Sequence, residues 1–417
     1  MALSYIDIFA GAGGLSEGFR KNGFIPVAHV EMNKNACLTL KTRECFYYLK
    51  EHGQIEDYNR YLKKKITRDE LYGKVPRELL DTVINETMTE EGMPSLFKKI
   101  DSLLLAQNVG QIDVLVGGPP CQAYSLVGRA RSKTNMVGDP RNYLYMLYCE
   151  VLKKYRPKMF VFENVPGLLT ADNGSYFKDM KERFRKTGYS LEYRVLNAKE
   201  YGVLQNRKRV ILIGWLEHSG LKYPDFNEVE HKYLVRDLFS DLPGIQPGES
   251  NNEYKNKTTD YLRQFGIRSD SDILTLHQAR PNIDRDREIY KCVINAWDNG
   301  PIRLKYTDLP ENLCTHKNRK AFLDRFKVVA EDIPYAQTMV AHISKDGHYF
   351  IHPDIKQARS ISIREAARIQ SFPDNYYFEG GRTAAFLQIG NAVPPLMASA
   401  IAGKIKDQLM EDNPDGK

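Results

Sequence analysis

The chain has no Cys-x-x-Cys pair. Its six cysteines, at 37, 45, 121, 149, 292 and 314, lie apart and match no metal-ligand spacing. That argues against a structural metal site and a disulfide scaffold, and for a reduced compartment. No apolar run reaches the roughly 18 residues of a membrane span, so no membrane is expected among the partners. Met1 leads at once into an apolar segment and leaves no room for a signal peptide. Internal repeats and low-complexity tracts are absent too. These absences leave a cytoplasmic globular protein. Its 417 residues, 42% of them hydrophobic, suffice for about two to three domains.

Charge is modest in sum and uneven in place. The net charge is +7. Residues 122–215 hold 18 Lys and Arg against 8 Asp and Glu, while 216–355 hold 19 against 22. A local basic excess suits a polyanionic partner, although a solvated enzyme face would also account for it.

The order of apolar segments predicts an α/β fold. Tyr5–Phe9 reads as a buried strand, followed by Gly11-Ala12-Gly13-Gly14 and a helix from about Leu15. Ile25–Val30 reads as a second strand ending at Glu31, and Asp113–Val116 and Met159–Glu163 as two more. Leu144, Leu147, Tyr148, Val151, Leu152 and Tyr155 recur at helical spacing between those two. Ser175–Gly188 predicts a helix, and Leu191–Leu196 and Arg209–Trp215 later strands. Such alternation implies a parallel sheet. Two stretches break the rhythm. Residues 46–97 are polar and mixed in charge, which predicts a mostly helical insertion. Residues 219–354 are irregular and read as a smaller domain, so that 1–218 and 355–417 form the larger one.

Five short segments carry the chemistry. Phe9-Ala10-Gly11-Ala12-Gly13-Gly14 is a glycine turn between strand and helix, where backbone N–H groups can approach a ligand. Ser16 stands where a dinucleotide fingerprint has its third glycine. Glu31 ends the next strand and suits a ribose, so the pair suggests an adenosine-containing cofactor. Gly117-Gly118-Pro119-Pro120-Cys121-Gln122 sets one thiol on a loop that its prolines stiffen, as a nucleophile requires. Phe162-Glu163-Asn164-Val165 places a carboxyl at a strand end, fit for a general acid or a helix cap. Gln205-Asn206-Arg207-Lys208-Arg209 would present Gln205, Arg207 and Arg209 on one strand face, to hold a base, a phosphate or a carboxylate. Gln388–Pro395 reads as a glycine-asparagine loop before a proline-started helix.

Taken in order, these blocks resemble the DNA (cytosine-5) methyltransferases, specifically the bacterial restriction-modification type. The resemblance also takes in Arg364-Glu365-Ala366-Ala367-Arg368-Ile369-Gln370-Ser371-Phe372-Pro373-Asp374 and Gly390-Asn391-Ala392-Val393-Pro394. It implies a Rossmann-like S-adenosylmethionine-binding α/β sheet with a smaller target recognition domain at 219–354. Cys121 would be the nucleophile, with Glu163, Arg207 and Arg209 holding the target cytosine. S-adenosyl-L-methionine would be bound by Phe9, Gly11, Gly13, Gly14, Leu15, Glu31, Asp101, Pro119, Leu144, Asn391 and Val393. Gln122, Ser125 and Thr338 would meet nucleic acid. Double-stranded DNA is the implied partner, with a cognate restriction endonuclease acting on the same site and a monomeric protein at the nucleoid.

The implied chemistry is thiolate addition at C6 of cytosine, which activates C5 for methylation. The reacting atoms lie inside the duplex stack, so the base must be flipped out. A tRNA cytosine-5 methyltransferase, a non-catalytic homologue and a nicotinamide-dependent oxidoreductase are the competing classes. The extended 219–354 region favours DNA over tRNA. The presence of Cys121, Glu163 and the glycine turn disfavours a dead homologue, and the missing third glycine disfavours nicotinamide.

Overall fold

The computed structural model describes residues 2–120 and 143–411. Seven strands form one sheet in the order β3-β2-β1-β4-β5-β7-β6. They are β1 (Ser4–Ile8), β2 (Ile25–Glu31), β3 (Val83–Asn85), β4 (Val114–Gly117), β5 (Met159–Asn164), β6 (Tyr189–Asn197) and β7 (Lys208–Leu216). The first five are parallel, whereas β7 runs against both β5 and β6. The all-parallel expectation fails here for a simple reason. Only ten residues, without an α-helix, separate β6 from β7, too few for a crossover.

Helices cover both faces, which is why the strands read as unbroken apolar runs. Alternate residues sort the two cores. Ile6, Ile8, Leu115, Phe160, Phe162 and Leu212 pack on α6 (Met93–Ala106), α7 (Leu144–Tyr155) and α8 (Ser175–Lys186). Tyr5, Val114, Val116, Val161, Ile211 and Ile213 pack on α1 (Gly14–Lys21) and the last helix, α14 (Pro395–Glu411). Gly18 permits that last contact, since a Cβ there would stand 2.3 Å from the Ala398 carbonyl carbon.

The 46–97 stretch is largely helical, as expected. It takes in the end of α2 (Lys34–Glu51), then α3 (Ile55–Leu62), α4 (Arg68–Tyr72), α5 (Arg77–Asp81) and the start of α6. It also contains β3, which sequence reading missed. Three residues on a sheet edge carry no period long enough to detect.

The 219–354 stretch includes α9 (Asp260–Gln264), α10 (Asp284–Asp298) and α11 (Arg319–Phe322). Two apolar clusters divide it. One holds Ile289, Tyr290, Val293, Tyr306, Phe326, Val328 and Ile351. The other joins Val235, Leu238, Tyr261, Leu262 and Met339 to Ile363 and Ile369 of α12 (Ile363–Ile369), Phe372 after it, and Phe386 of α13 (Arg382–Asn391). A buried ionic frame fastens this second cluster. Arg368 forks onto Asp241 (2.5 and 3.0 Å) and Asp374 (2.9 and 2.6 Å), and Arg359 grips Glu365 through two bonds of 2.8 Å. The 364–374 motif is therefore scaffold, tying the irregular stretch to the sheet domain. No single described helix is long and apolar enough to cross a membrane.

Candidate active site

The strand order reverses between β1 and β4, and clefts form at such a switch point beyond the carboxyl ends of the strands. Here the ends of β1, β2, β4 and β5 carry Phe9–Gly14, Glu31, Gly117–Pro120 and Glu163. Because β7 is antiparallel, its first residues, Lys208 and Arg209, reach the same edge.

The glycine turn is bent by positive φ at Phe9 (57°), Gly11 (55°) and Gly13 (78°). Gly11 N–H donates to Glu31 Oε2 (2.8 Å), and Asn33 N–H donates to Glu31 Oε1 (2.7 Å). Burial raises the Glu31 pKa, and these two N–H groups hold the rise back. Each carboxylate oxygen keeps a further lone pair for a ligand. Among the described residues, apart from its chain neighbours, none places an atom within 4 Å of where a Cβ on Gly11 would be, so space is open there beside Glu31. Gly14 serves packing, since a Cβ would stand 2.2 Å from the Val393 carbonyl oxygen. Val393 and Leu15 meet there in one small apolar cluster with Ala398. Tyr376 donates its hydroxyl to Ala12 O and closes the turn from behind. An acid held for hydroxyl donors, open backbone space and an apolar floor fit the adenosine and methionine ends of S-adenosylmethionine.

The second half of the site is Glu163 with Arg209. Arg209 Nε donates to Glu163 Oε1 at 2.7 Å, with both side chains mostly buried. The other oxygen, Oε2, faces Gly118, where a Cβ would stand 2.6 Å away. Asn164 Nδ2 donates to the Pro119 carbonyl (3.2 Å) and fixes the loop that leads to Cys121. Cys121, Gln122 and Ser125 lie outside the described residues. Leu144 opens α7 and packs against the main core. Asn391 is the exposed last residue of α13. Thr338 donates its hydroxyl to the Asn206 carbonyl (2.5 Å), which ties the 336–339 strap to the start of β7.

Three expectations need correction. Asp101 does not approach the glycine turn. It pairs with Lys154 Nζ (3.0 Å), in the last turn of α7, at the end of the sheet where β5 begins. Arg207 does not point with Arg209. It is fully buried and donates to the carbonyls of Met339, Gly390 (3.2 Å) and Ala392 (2.9 Å). The chain leaves the β7 line before Lys208, and Gln205 bridges to Ala336 instead, so strand alternation does not extend that far. Gln388–Asn391 is the last turn of α13 and not a loop.

One position was missed. Asn85 ends β3 beside Glu31 and donates from Nδ2 to the carbonyls of Glu31 and Met32, both at 3.0 Å. Glu86 follows it at the same edge, 2.5 Å from Lys99 Nζ. The β-branched triplet Thr82-Val83-Ile84 before a polar pair was the available signal.

Comparisons with known proteins identify the family. The family model for the C-5 cytosine-specific DNA methylases matches residues 3–76 and 94–407. The chain is 44% identical to the Type II methyltransferase M.Bpa9945I of Bacillus paralicheniformis, over 97% of this chain and 98% of that one. It is 30% identical to the Type II methyltransferase M1.HphI of Haemophilus parahaemolyticus, over 96% and 86%. Among solved structures, a prophage-encoded E. coli protein described as a DNA modification methyltransferase shares the fold. Its TM-score is 0.65 at 22% identity, over 98% and 99% of the two chains. The chain belongs to the C-5 cytosine-specific DNA methylase family and is a DNA cytosine-5 methyltransferase.

Proposed function

We propose that the protein is the modification enzyme of a Type II restriction-modification system, methylating C5 of a cytosine flipped out of a specific duplex site. The observation that carries this reading is the convergence of two pairs on one sheet edge. Glu31 with Gly11 lies on one side of the Gly117–Pro120 loop, and Glu163 with Arg209 on the other.

S-adenosyl-L-methionine, when bound, supplies an electrophilic sulfonium methyl. Glu31 takes the ribose hydroxyls, Phe9 the adenine face, and Leu15, Asn391 and Val393 the methionine end. Pro119 and Leu144 border the same cleft. Cys121 adds as a thiolate to C6 of the target ring, which loses aromaticity and gains electron density at C5. Glu163, aimed by Arg209, places a proton at ring N3 as charge develops there. After methylation a base removes the C5 proton, the Cys121 thiolate leaves, restoring the double bond, and the N3 proton returns to Glu163.

Residues 219–354, with Thr338 near their end, read the base edges, and Gln122 and Ser125 meet the DNA near the flipped base. The basic 122–215 segment grips phosphates. The enzyme acts in the cytoplasm, at the nucleoid, as a monomer, beside an endonuclease cutting the same site. Bisulfite sequencing of DNA from cells expressing the chain tests the proposal. Cytosines protected in one sequence context are expected, and a methylation pattern no different from empty-vector cells would refute it.

A further inference from the structure

The last carbonyl groups of a helix lack i+4 partners, and a helix C-terminus carries partial negative charge; at the end of α13, Ile389 O accepts one bond from Ala392 N–H (3.2 Å). Two buried side chains meet them. Arg207 donates to Gly390 O and Ala392 O, and Gln370 Nε2 donates to Ile389 O (2.6 Å) and Ala392 O (3.2 Å). Both also engage, directly or through one neighbour, the strap that ends the irregular stretch. Arg207 donates to Met339 O. Gln205 donates to Gln370 Oε1 (2.8 Å) and Ile369 O (3.0 Å), and accepts from Met339 N–H (2.7 Å). Gln205, Arg207 and Gln370 are all fully buried. The strap and helix touch backbone to backbone beside this knot, for a Cβ on Gly390 would stand 2.4 Å from Ala341 N.

We propose that Gln205, Arg207 and Gln370 form a positioning knot that couples DNA seating to cofactor binding. The knot joins three things within a few residues of one another. Met339 adjoins Thr338 at the end of the recognition stretch. Ile389–Ala392 carry Asn391 and lead into Val393 at the methionine end. Arg207 lies two residues from Arg209, which aims Glu163. A shift of the strap when DNA binds is transmitted through Arg207 and Gln370 to the α13 end, and a cofactor seated against that end stiffens the strap in return. The proposal rests on the assignments of cofactor and DNA given above.

Coupling between two ligands is reciprocal and is read as a ratio of affinities. The test uses the full chain and a duplex carrying the site found by bisulfite sequencing. DNA affinity is measured by fluorescence anisotropy with and without saturating S-adenosylhomocysteine. In the wild type the nucleoside should tighten DNA binding by at least about fivefold, the low end of allosteric couplings. In Arg207→Lys, which keeps the charge and loses the fork, the ratio should fall to about one. Gln370→Met removes only the amide bonds and should lower the ratio part-way. It carries the test if Arg207→Lys does not fold. A lost bond that merely softened the protein would weaken both measurements alike and leave the ratio unchanged. An unchanged ratio in folded variants, or a wild-type ratio of one, overturns the coupling while the methyltransferase reading stands. Absence of methylation by the wild type overturns that reading instead.

Discussion

Replacing Gly118 by Ala should separate activity from stability. A Cβ there would lie 2.6 Å from Glu163 Oε2, 3.4 Å from its carbonyl oxygen and 3.7 Å from its Cβ. Only the carboxyl end is in true conflict, and it must retreat by about 1 Å to reach an ordinary contact. That retreat stretches the 2.7 Å bond from Arg209. A hydrogen bond to a charged group contributes about 1.5–3 kcal/mol, and displacing a reacting group by about 1 Å costs roughly a hundredfold in rate. Both routes lead to a single-turnover rate about 10²-fold below wild type. The backbone at Gly118 lies outside the left-handed region, so alanine fits its conformation. Such a change stabilises by about 0.4–1 kcal/mol through the unfolded chain, which offsets part of the weakened pair. The melting temperature should therefore stay within about 4 °C of wild type. The assay is transfer of labelled methyl groups with enzyme in excess over a duplex substrate, beside calorimetric melting. A Gly118→Ala rate within about threefold of wild type would refute the placement of Glu163 Oε2 at the reacting ring.

Cys121→Ala should abolish methyl transfer while DNA and cofactor still bind, and wild type should form a stable adduct with a duplex holding 5-fluorocytosine at the target. Gel shift and denaturing electrophoresis check both, and methylation above a trace by the variant would discard the nucleophile. Glu31→Gln should weaken S-adenosylmethionine binding by about 1–3 kcal/mol, since one oxygen becomes a donor facing donors. Calorimetry returning wild-type affinity would remove Glu31 from the ribose. Stability should also depend on His29, which is fully buried between Asp7 (3.9 Å) and Glu44 (3.5 Å). Burial pushes its imidazolium down, and the two carboxylates more than reverse this, to about 9. A histidine raised above its unfolded value near 6.5 stabilises fully below that pH and loses the contribution as pH rises to about 9. Unfolding free energy should fall across that window, by at most about 1.4 kcal/mol per pH unit, with the melting temperature following it, and His29→Asn should flatten the slope. An equal slope in the variant would assign the effect to another group.

The sequence was most informative where local pattern and final position coincide. Apolar runs located six strands, and the glycine turn after β1 and the acid at the end of β2 came together on one sheet edge, a convergence their positions in the chain already implied. It was least informative where tertiary contact decides. Asp101 and Glu86 are both acids near lysines, and only the packing of α6 decides that Asp101 pairs with Lys154 of α7 while Glu86, after β3, pairs with Lys99. Arg207 and Arg209 look alike in the motif. One is taken up by helix carbonyls because the chain has left the strand, and no residue-level signal records that departure. The Arg364–Asp374 motif matched the family, yet its scaffold role became visible only when Asp241, more than a hundred residues away, proved to be the partner of Arg368.

The reversed strand explains why one short motif serves two purposes. In a parallel strand after β5, residues 207–209 would enter at the sheet's far edge, away from Glu163. Running β7 antiparallel puts its start at the catalytic edge, opposite the end of β5, where Asn164 pairs with Val210. Arg209, within the strand, then reaches Glu163 across that pair. Arg207, just outside it, keeps a backbone bond from Ala198 N–H (2.9 Å), while its side chain turns into the gap between Met339 and the end of α13. A lysine could keep either charge but not either geometry, because each site uses a guanidinium edge against fixed acceptors. Arg209→Lys should therefore lower the chemical rate at unchanged DNA affinity, whereas Arg207→Lys should alter how cofactor and DNA affect each other. Identical effects of the two changes on both measurements would mean that the motif acts as a single charge patch, and the division between aiming and coupling would be lost.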